Sequence, residues 1–209
     1  MKELFLSDVD GTLVKGSLML NHAGFLLENG LIEDNGIYSA WKQDVKNEDL
    51  IAHLAEHYRF EIIGKKVEDL HVSEYLSNFL ADKSNVYSTL EYLNENKLKG
   101  HDIILVSGSP DFLIERLAKL YDFEFQASTY YKNRKGEFSG RVKGMYSKRQ
   151  KQNFVKRIEN LDSYKHITAL GDTCSDEGLF MYSHYNILVD PSVQTKENIK
   201  SPINQLIFN

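Results

Sequence analysis

The apolar run at residues 103–106 constrains the fold more than any other stretch of this chain. Four consecutive apolar residues, without the polar alternation of a half-exposed strand, are typical of a parallel strand that is buried on both faces. Similar short runs occur at residues 4–6, 167–170 and 185–189, and segments with helical spacing separate them. This alternation predicts an α/β fold with a doubly wound, mostly parallel, Rossmann-like sheet.

A long helical segment interrupts the alternation after the first strand. Residues 36–82 carry apolar side chains at helical spacing, and only residues 60–63 resemble a strand. Such a segment between two core strands is typical of an inserted domain. We therefore predict a core formed by residues 1–15 and 83–209, with a helical cap inserted at residues 16–82.

The second half of the chain continues the strand and helix pattern. We expect a helix at 84–98, a helix opened by Pro110, a short strand at 123–125, a hairpin within 129–144 and a helix around 154–158. In a sheet of this kind the carboxyl ends of the parallel strands converge on one crevice. Polar residues that follow the strands are therefore the candidates for a functional site.

Composition argues against several classes of protein. The 209 residues include 30 acidic and 25 basic ones, a formal net charge of −5, and no dense basic patch suited to nucleic acid. The single cysteine, Cys174, excludes an internal disulfide, and no apolar stretch approaches membrane-spanning length. No signal peptide is visible at the N-terminus, so we expect a cytoplasmic protein without membrane or nucleic-acid partners.

Two carboxylates follow the first strand. Asp8 and Asp10 are two residues apart, so both side chains point the same way on an extended backbone. Like charges this close are unfavourable unless a cation compensates them, and Mg²⁺ prefers oxygen ligands while leaving room for phosphate oxygens. A solvated acidic turn around Gly11 is the alternative interpretation.

A candidate anion site follows the second strand. Ser107 and Gly108 precede Pro110 at the start of a helix, where backbone N–H groups and the helix dipole favour negative charge. The Ser107 hydroxyl adds another donor. The alternative is an ordinary strand-to-helix turn that Ser109 caps.

Two more carboxylates follow the run at 167–170. Asp172 and Asp176 lie four residues apart where a loop leads into a helix. Either could be a simple turn or capping residue. The end of another parallel strand would, however, bring both to the crevice that Asp8 and Asp10 also reach.

A phosphate that faces several carboxylates also needs a fixed positive charge. Lys148 and Lys151 both lie at the start of the helix that precedes residues 167–170. Phe154 and Val155 follow Lys151 by three and four residues, which places Lys151 at the head of the buried face of that helix. We therefore predict that Lys151 binds the phosphate, with Lys148 as the alternative.

Taken together, these segments resemble the four motifs of the haloacid dehalogenase superfamily, in that family's order. The motifs are Asp8-Val9-Asp10-Gly11-Thr12, Val106-Ser107-Gly108-Ser109-Pro110, the helix-start lysine and Gly171-Asp172-Thr173-Cys174-Ser175-Asp176. The helical insertion and the glycine-containing hairpin before the lysine resemble the phosphoserine-phosphatase-like branch. The resemblance implies a Mg²⁺-dependent phosphatase that hydrolyses a small phosphorylated metabolite, a phosphomonoester, through an aspartyl-phosphate intermediate.

The resemblance also implies roles for the residues of the first motif. Asp8 would be the nucleophile that takes the phosphoryl group. Asp10 would be the general acid for the leaving group and then the base for water, and Thr12 would help to orient Asp10. An acid at Asp10 separates the chain from family members that cleave carbon–halogen bonds, because halide needs no proton.

The remaining implied roles concern binding. The resemblance implies that the phosphate is bound by Thr12, Ser107, Gly108 and Lys151. It implies that Mg²⁺ is bound by the carboxylate of Asp8, the backbone carbonyl of Asp10 and the carboxylate of Asp172, with Asp176 supporting these ligands from behind.

One position departs from the resembled branch. Phosphoserine phosphatases carry a glutamate at the start of the cap, where it meets the substrate amine, and Ser17 stands at that place here. We therefore expect free phosphoserine to be a poor substrate and an uncharged or anionic ester to be preferred. A phosphotransferase with the same intermediate and a non-catalytic phosphate-binding relative are the alternatives.

Overall fold

The computed structural model describes residues 2–33, 35–43 and 48–207. Within these ranges seven strands form a single sheet, in the spatial order fourth, third, second, first, fifth, sixth, seventh. The strands are β1 (Leu4–Ser7), β2 (Asp102–Pro110), β3 (Glu124–Lys132), β4 (Phe138–Lys143), β5 (Ile167–Gly171), β6 (Tyr185–Val189) and β7 (Gln205–Ile207). All neighbouring pairs are parallel except β3 with β4. The predicted mostly parallel α/β sheet is therefore confirmed.

In the part of the chain that the structure describes, five α-helices lie between β1 and β2, and four more follow β2. The first group is α1 (Leu18–Glu28), α2 (Ile37–Gln43), α3 (Glu48–Glu61), α4 (Val72–Ala81) and α5 (Ser88–Leu98). The second group is α6 (Asp111–Tyr121), α7 (Lys148–Val155), α8 (Glu177–Phe180) and α9 (Val193–Asn198). In the ranges that the structure describes, no helix combines the length and the apolar character that a membrane span requires.

The two faces of the sheet carry separate apolar cores. Phe5 and Leu105 pack on one face with residues of α1, α4, α5 and α6, whereas Leu6 and Ile104 pack on the other face with residues of α7 and α8. Side chains alternate between the faces of a strand, so a strand that is covered on both sides needs an apolar residue at every position. This double burial explains the continuous run at residues 103–106.

The segment between β1 and α5 departs in two ways from the predicted helices. Residues 60–63 are not a strand, because α3 extends to Glu61 and a turn follows it. Tyr58 and Ile62 lie four residues apart and are both buried, which is the spacing of the core-facing side of a helix. Helix is also interrupted between α3 and α4 by turns and a short 3₁₀ segment, Glu68–Leu70. Residues 44–47 of the predicted helical segment lie outside the described residues.

Two further differences concern the sheet. The strand expected at 123–125 is the nine-residue β3, which continues directly into the predicted hairpin, where Lys132 pairs with Phe138 of β4. The edge strand β7 and the preceding α9 were not predicted. Only three residues long and largely exposed, β7 has no run of buried apolar residues to indicate it.

A buried histidine joins three parts of the helical segment. The imidazole of His22 in α1 has Nδ1 2.9 Å from the hydroxyl of Tyr58 in α3, and Nε2 2.8 Å from the carbonyl oxygen of Leu70. A carbonyl only accepts, so Nε2 carries the proton and Nδ1 accepts from Tyr58. Burial lowers the pKa of His22 to about 4, because the charged form would lose its hydration.

The lowered pKa of His22 predicts that the protein is less stable in mild acid. Between pH 6.5 and about 4 the unfolded chain protonates this side chain and the folded protein does not, so the free energy of unfolding falls as the pH falls. The full effect is about 3 kcal/mol. Urea denaturation at several pH values should show a shallower loss for His22→Gln than for the wild type. Parallel losses in the two proteins would contradict the assignment.

Candidate active site

Three neighbouring strands bring the predicted site residues to one edge of the sheet. β2 and β5 flank β1 on its two sides, with Ser7 opposite Leu105 on one and opposite Leu170 on the other. The backbone N–H of Asp8 donates to the carbonyl of Leu170 at 3.0 Å. Since all three strands run in the same direction, the residues that follow them meet at their carboxyl ends, as the sequence predicted.

A cluster of carboxylates lies at this edge. Asp8, Asp172 and Asp176 each place a carboxylate oxygen within 4.8 Å of the others. Asp8 is 6% exposed and Asp176 is fully buried. Buried carboxylates at this separation repel one another strongly unless cations lie among them.

Lys151 provides one of these positive charges. Its Nζ lies 2.6 Å from Oδ1 of Asp8 and 2.5 Å from Oδ1 of Asp176, and the side chain is only 3% exposed. Ser147 caps α7 and forms a reciprocal capping box with Gln150, which fixes where the helix starts and therefore which side chain faces the cluster. Lys148 points elsewhere and pairs with the buried Glu177.

One ammonium group lies among several carboxylates, and burial together with the remaining negative charge raises the pKa values of these carboxyl groups. Burial raises the pKa of Asp8 to about 8 against the opposing effect of Lys151, and the charges of Asp176 and Asp10 add to the rise. Burial, followed by the charges of Asp176 and Asp8, also raises the pKa of Asp172 well above its usual range. For Lys151, burial alone would lower the pKa, but Asp176 and Asp8 outweigh it and raise the value.

The carboxylate of Asp176 stabilises the loop that follows β5. Its Oδ1 accepts from Lys151, and its Oδ2 accepts from the backbone N–H groups of Asp172 and Thr173 at 3.0 Å each and from the Thr173 hydroxyl at 3.2 Å. Both oxygens are therefore occupied by protein donors. This carboxylate holds the loop after β5, which leaves Asp8 and Asp172 as the carboxylates available to a cation.

The turn after Asp10 explains the glycine of the first motif. Gly11 has a φ of +77°, and a Cβ at this position would lie 2.3 Å from Oδ2 of Asp172. Only glycine fits both the conformation and the space. The Thr12 hydroxyl, which we expected to orient Asp10, instead donates to Oδ1 of Asp172 at 3.3 Å.

Asp10 is held by three donors from other parts of the chain. Its Oδ1 accepts from the backbone N–H of Leu18, the first residue of α1, at 2.6 Å. Its Oδ2 accepts from the hydroxyls of Ser107 at 3.0 Å and Ser109 at 2.7 Å. Burial raises the pKa of Asp10, although these hydrogen bonds act in the opposite direction. The carboxyl is therefore both oriented and shifted toward its protonated form.

Sequence reasoning did not assign Ser109 to the site, because a helix cap explained it. Strand β2 in fact continues to Pro110, so Ser107 and Ser109 are alternate residues of an extended segment. Their side chains consequently lie on the same side, which is the signal that could have identified the second serine.

The loop around Gly108 is fixed from the neighbouring strand. The Ser128 hydroxyl of β3 donates to the Gly108 carbonyl at 2.6 Å and accepts from the backbone N–H of Met145 at 3.0 Å. Ser109 donates its own backbone N–H to the Ser107 hydroxyl at 2.9 Å. The ring of Tyr146 lies against Gly108, where an added Cβ would be 3.1 Å from Cδ1 of the tyrosine.

Solved structures resemble this chain over nearly its whole length. A protein of unknown function from Bordetella pertussis Tohama I has a TM-score of 0.77 at 16% identity, with 99% of this chain and 98% of that chain covered. A substrate-bound phosphoserine phosphatase complex has a TM-score of 0.67 at 16% identity, with coverages of 99% and 93%. A phosphoserine phosphohydrolase-like protein from Francisella tularensis subsp. tularensis SCHU S4 has a TM-score of 0.59 at 17% identity, with coverages of 99% and 94%. At such identities the similarity shows a shared fold.

Comparison with curated protein sequences finds no match. The model of the haloacid dehalogenase-like hydrolases, in contrast, matches residues 5–180. This range includes the carboxylates, the lysine and the two serines that meet at the edge of the sheet. The chain therefore belongs to the haloacid dehalogenase-like hydrolases.

Proposed function

We propose that this protein is a Mg²⁺-dependent phosphatase that hydrolyses a small phosphomonoester through an aspartyl-phosphate on Asp8. The observation that supports this most is the environment of Asp8, a buried carboxylate in contact with Lys151 and clustered with Asp172. Asp10 lies two residues away with its carboxyl held by the loop at Ser107. A nucleophile, an acid and a place for phosphate are thereby adjacent.

The donor set fits a hard divalent cation. The carboxylates of Asp8 and Asp172 and the backbone carbonyl of Asp10 would hold Mg²⁺, and they supply the oxygen ligands that this ion prefers. Burial and the charges of the neighbouring carboxylates raise the pKa values of Asp8 and Asp172, and a cation bound among them would act in the opposite direction. When bound, the ion would neutralise the carboxylates and allow a phosphate dianion to approach them.

The positions of the two aspartates support a covalent transfer. An oxygen of Asp8 attacks the phosphorus in line as the bond to the ester oxygen breaks, and Asp10 delivers its proton to the departing alkoxide. The ionised Asp10 then takes a proton from water as that water attacks the phosphorus. Phosphate leaves, Asp8 is regenerated and Asp10 is again protonated.

Phosphate binding is assigned to the loop and the lysine. The Ser107 hydroxyl, whose one donor points to Asp10 in the structure, would turn to the phosphate when phosphate binds, and the Gly108 backbone lies beside it near the end of β2. Lys151 supplies a buried charge beside Asp8. Thr12 acts on the neighbouring carboxylate of Asp172 through its hydroxyl. Together these groups orient the phosphoryl group and stabilise the charge that develops on it.

The helical segment at residues 16–82 would act as a cap over this site. Its first helix begins at Leu18, whose N–H donates to Asp10, and α4 packs against α6 of the core. A cap in this position would exclude water from the aspartyl-phosphate and contact the alcohol part of the substrate.

Magnesium dependence tests the proposal directly. We expect phosphate release from p-nitrophenyl phosphate with Mg²⁺ and none after chelation with EDTA. Mg²⁺ should also raise the Tm of the wild type, because it binds only the folded cluster, and should raise that of Asp172→Asn much less. Equal release with EDTA would contradict the metal assignment. A Tm increase without turnover of any ester would instead favour a non-catalytic phosphate-binding protein.

The contribution of Ser109 to the rate should depend on how much the leaving group needs a proton from Asp10. Ser109→Ala removes the 2.7 Å hydrogen bond to Asp10, so the acid is less well positioned. We expect kcat/KM to fall about 10- to 100-fold for an alkyl phosphate, whose alkoxide must be protonated. For p-nitrophenyl phosphate, whose phenolate leaves without much help, we expect little change. Ser109→Thr, which keeps a hydroxyl, is the matched control, and equal losses for both esters would contradict this role.

A further inference from the structure

The positive charges of this chain are unevenly distributed. Residues 132–157, which contain the end of β3, all of β4 and α7, include ten lysines and arginines and a single acidic residue, Glu137. Over the whole chain, in contrast, 30 acidic residues outnumber 25 basic ones. Of these ten cations the candidate active site uses Lys151, and most of the others are exposed. A local excess of one charge is typical of a surface that binds a partner of opposite charge.

Three of these cations surround a groove between the β3–β4 hairpin and α7, which we call the basic groove. It consists of two adjoining cavities, of about 270 and 530 Å³, whose walls share Lys143, Met145 and Arg157. Lys156 lines the larger cavity, and Thr129 of β3 lines the smaller one. Among the described residues no aspartate or glutamate lines either cavity. The combined space is suited to a small molecule.

The three cations have no counter-charge in the part of the chain that the structure describes, since none of them pairs with a carboxylate. Arg157 donates from Nε to the backbone carbonyl of Asn153 at 2.9 Å, which anchors the guanidinium and leaves its two terminal nitrogens available to a ligand. Lys156 and Arg157 follow α7, whose C-terminal dipole favours cations. Lys143 lies across the groove on β4, where no helix end explains it. An anion bound among the three would remove their mutual repulsion.

The basic groove lies on the face of the hairpin opposite the helical segment. Side chains alternate along β4, so Lys143 points away from Val142, which packs with residues of α1 and α4. Met145 packs in the other apolar core, with residues of α7 and α8. A ligand in the basic groove would therefore be separate from a substrate bound at Asp8.

Two hydrogen bonds connect the basic groove to the phosphate loop, which comprises Ser107 and Gly108. Met145, in the wall of the groove, donates its backbone N–H to the Ser128 hydroxyl at 3.0 Å. That hydroxyl in turn donates to the carbonyl of Gly108 at 2.6 Å. Ser128 is fully buried, so water does not compete for either bond. A ligand that shifts Met145 would consequently shift the backbone of the phosphate loop.

We propose that the basic groove binds a small polyanion, a molecule with at least two phosphate or carboxylate groups, which acts on the phosphate loop as an effector. Lys143 contacts the ligand from β4, and Lys156 and Arg157 contact it from the end of α7. Guanidinium and ammonium groups on opposite sides of one groove match several negative charges on one molecule. The concave shape favours such a molecule over an extended nucleic acid.

Methionine methyl groups provide site-specific probes of this groove, because the chain has only four methionines. Metal-free protein with ¹³C-labelled methionine methyls is titrated with inorganic pyrophosphate in about 0.1 M salt, which screens weak attraction to exposed charges. We expect a saturable shift of the Met145 resonance with a Kd below about 1 mM, and binding of orthophosphate at least about 10-fold weaker. The resonance of Met181, which is exposed after α8, should not shift.

Three variants assign the shift to the groove. Lys143→Gln and Arg157→Gln should each raise the Kd by at least about 10-fold, because each removes a charged contact. Lys135→Gln, which removes an exposed cation at the turn of the hairpin, should leave the Kd within about 2-fold. The backbone amide of Ser109 reports the effect on the phosphate loop, since its nitrogen shares a peptide group with the carbonyl of Gly108. Its resonance should shift with pyrophosphate in the wild type and not in Arg157→Gln.

Each opposite outcome has a definite meaning. Absence of a saturable Met145 shift, or a shift that survives both Lys143→Gln and Arg157→Gln, would overturn the binding site. A Ser109 shift that persists in Arg157→Gln would place pyrophosphate in the active site, and a Met145 shift without a Ser109 shift would also overturn the effector role. Binding of a ten-nucleotide single-stranded RNA without binding of pyrophosphate would assign the surface to nucleic acid and overturn the inference. All of these readouts are made without turnover, so they are independent of the proposed phosphatase function.

Discussion

Asp8→Asn is expected to lower Mg²⁺-dependent phosphate release by at least about 10⁴-fold, because an amide cannot form the phosphoryl intermediate. The fold should survive the change. Burial raises the pKa of Asp8 to about 8, so the neutral carboxyl favours the folded state at low pH and that contribution is lost as the pH rises from about 4 to 8. Asparagine resembles the neutral form, and we expect the metal-free variant to be at least as stable as the wild type at neutral pH.

A second aspartate on the same sheet provides the control for this variant. Asp102 lies at the opposite end of β2, where it pairs with Lys2 at 2.7 Å. Asp102→Asn should keep nearly full activity. Initial rates with p-nitrophenyl phosphate and thermal denaturation of the three proteins are the measurements. If Asp8→Asn retained more than about one hundredth of the wild-type rate, Asp8 could not be the nucleophile.

Lys151→Ala should combine a large loss of activity with a loss of stability. Removal of this ammonium leaves Asp8 and Asp176 buried without their cation, which should lower the free energy of unfolding by about 3–5 kcal/mol. We expect kcat/KM to fall about 10³-fold or more, because the charge that orients Asp8 and the phosphate is absent. Urea denaturation and steady-state kinetics measure the two effects separately.

Lys148 is the matched control for Lys151, since both lysines lie in the first turn of α7. Lys148 pairs with Glu177 away from the carboxylate cluster, so Lys148→Ala should keep most of the activity. Mg²⁺ added to Lys151→Ala should recover part of the stability by neutralising the same carboxylates. A larger loss of activity in Lys148→Ala than in Lys151→Ala would transfer the phosphate-binding role to Lys148.

Local patterns were sufficient to predict most of the sheet and the convergence of its acidic residues. Residues 103–106 indicated a doubly covered strand because every side chain of such a strand is buried. The spacing of Phe154 and Val155 from Lys151 indicated which lysine faces inward, and the structure places its Nζ against Asp8. In both cases the information lies within one turn or one strand.

What the sequence did not reveal depends on contacts between distant segments. The hydrogen bond from Ser109 to Asp10 spans 99 positions, and the one from Thr12 to Asp172 spans 160. The alternation of Ser107 and Ser109 could have placed both serines on one side of the strand, but no local pattern identifies the distant partner of either hydrogen bond. Such contacts emerge from tertiary packing and not from periodicity.

The buried carboxylates of the candidate site reduce the stability of the fold around them. One buried ammonium group, that of Lys151, pairs with Asp8 and Asp176, and Asp10 and Asp172 have no such partner among the described residues. The pKa values of Asp8, Asp10 and Asp172 are raised. Well-packed apolar side chains in their place would favour folding more. The arrangement is understandable if a divalent cation completes it, because the cation offsets part of the negative charge of the carboxylates and of a bound phosphate.

Detection of the phosphoryl group on Asp8 tests the central claim most directly. Wild-type protein is mixed with Mg²⁺ and a phosphate ester, quenched in acid during turnover, digested and analysed by mass spectrometry. We expect the mass of one phosphoryl group on the peptide that contains Asp8, and its absence after chelation with EDTA and in Asp8→Asn. Rapid turnover with no modified peptide at any quench time, or a phosphoryl group on a residue other than Asp8, would contradict the proposed mechanism.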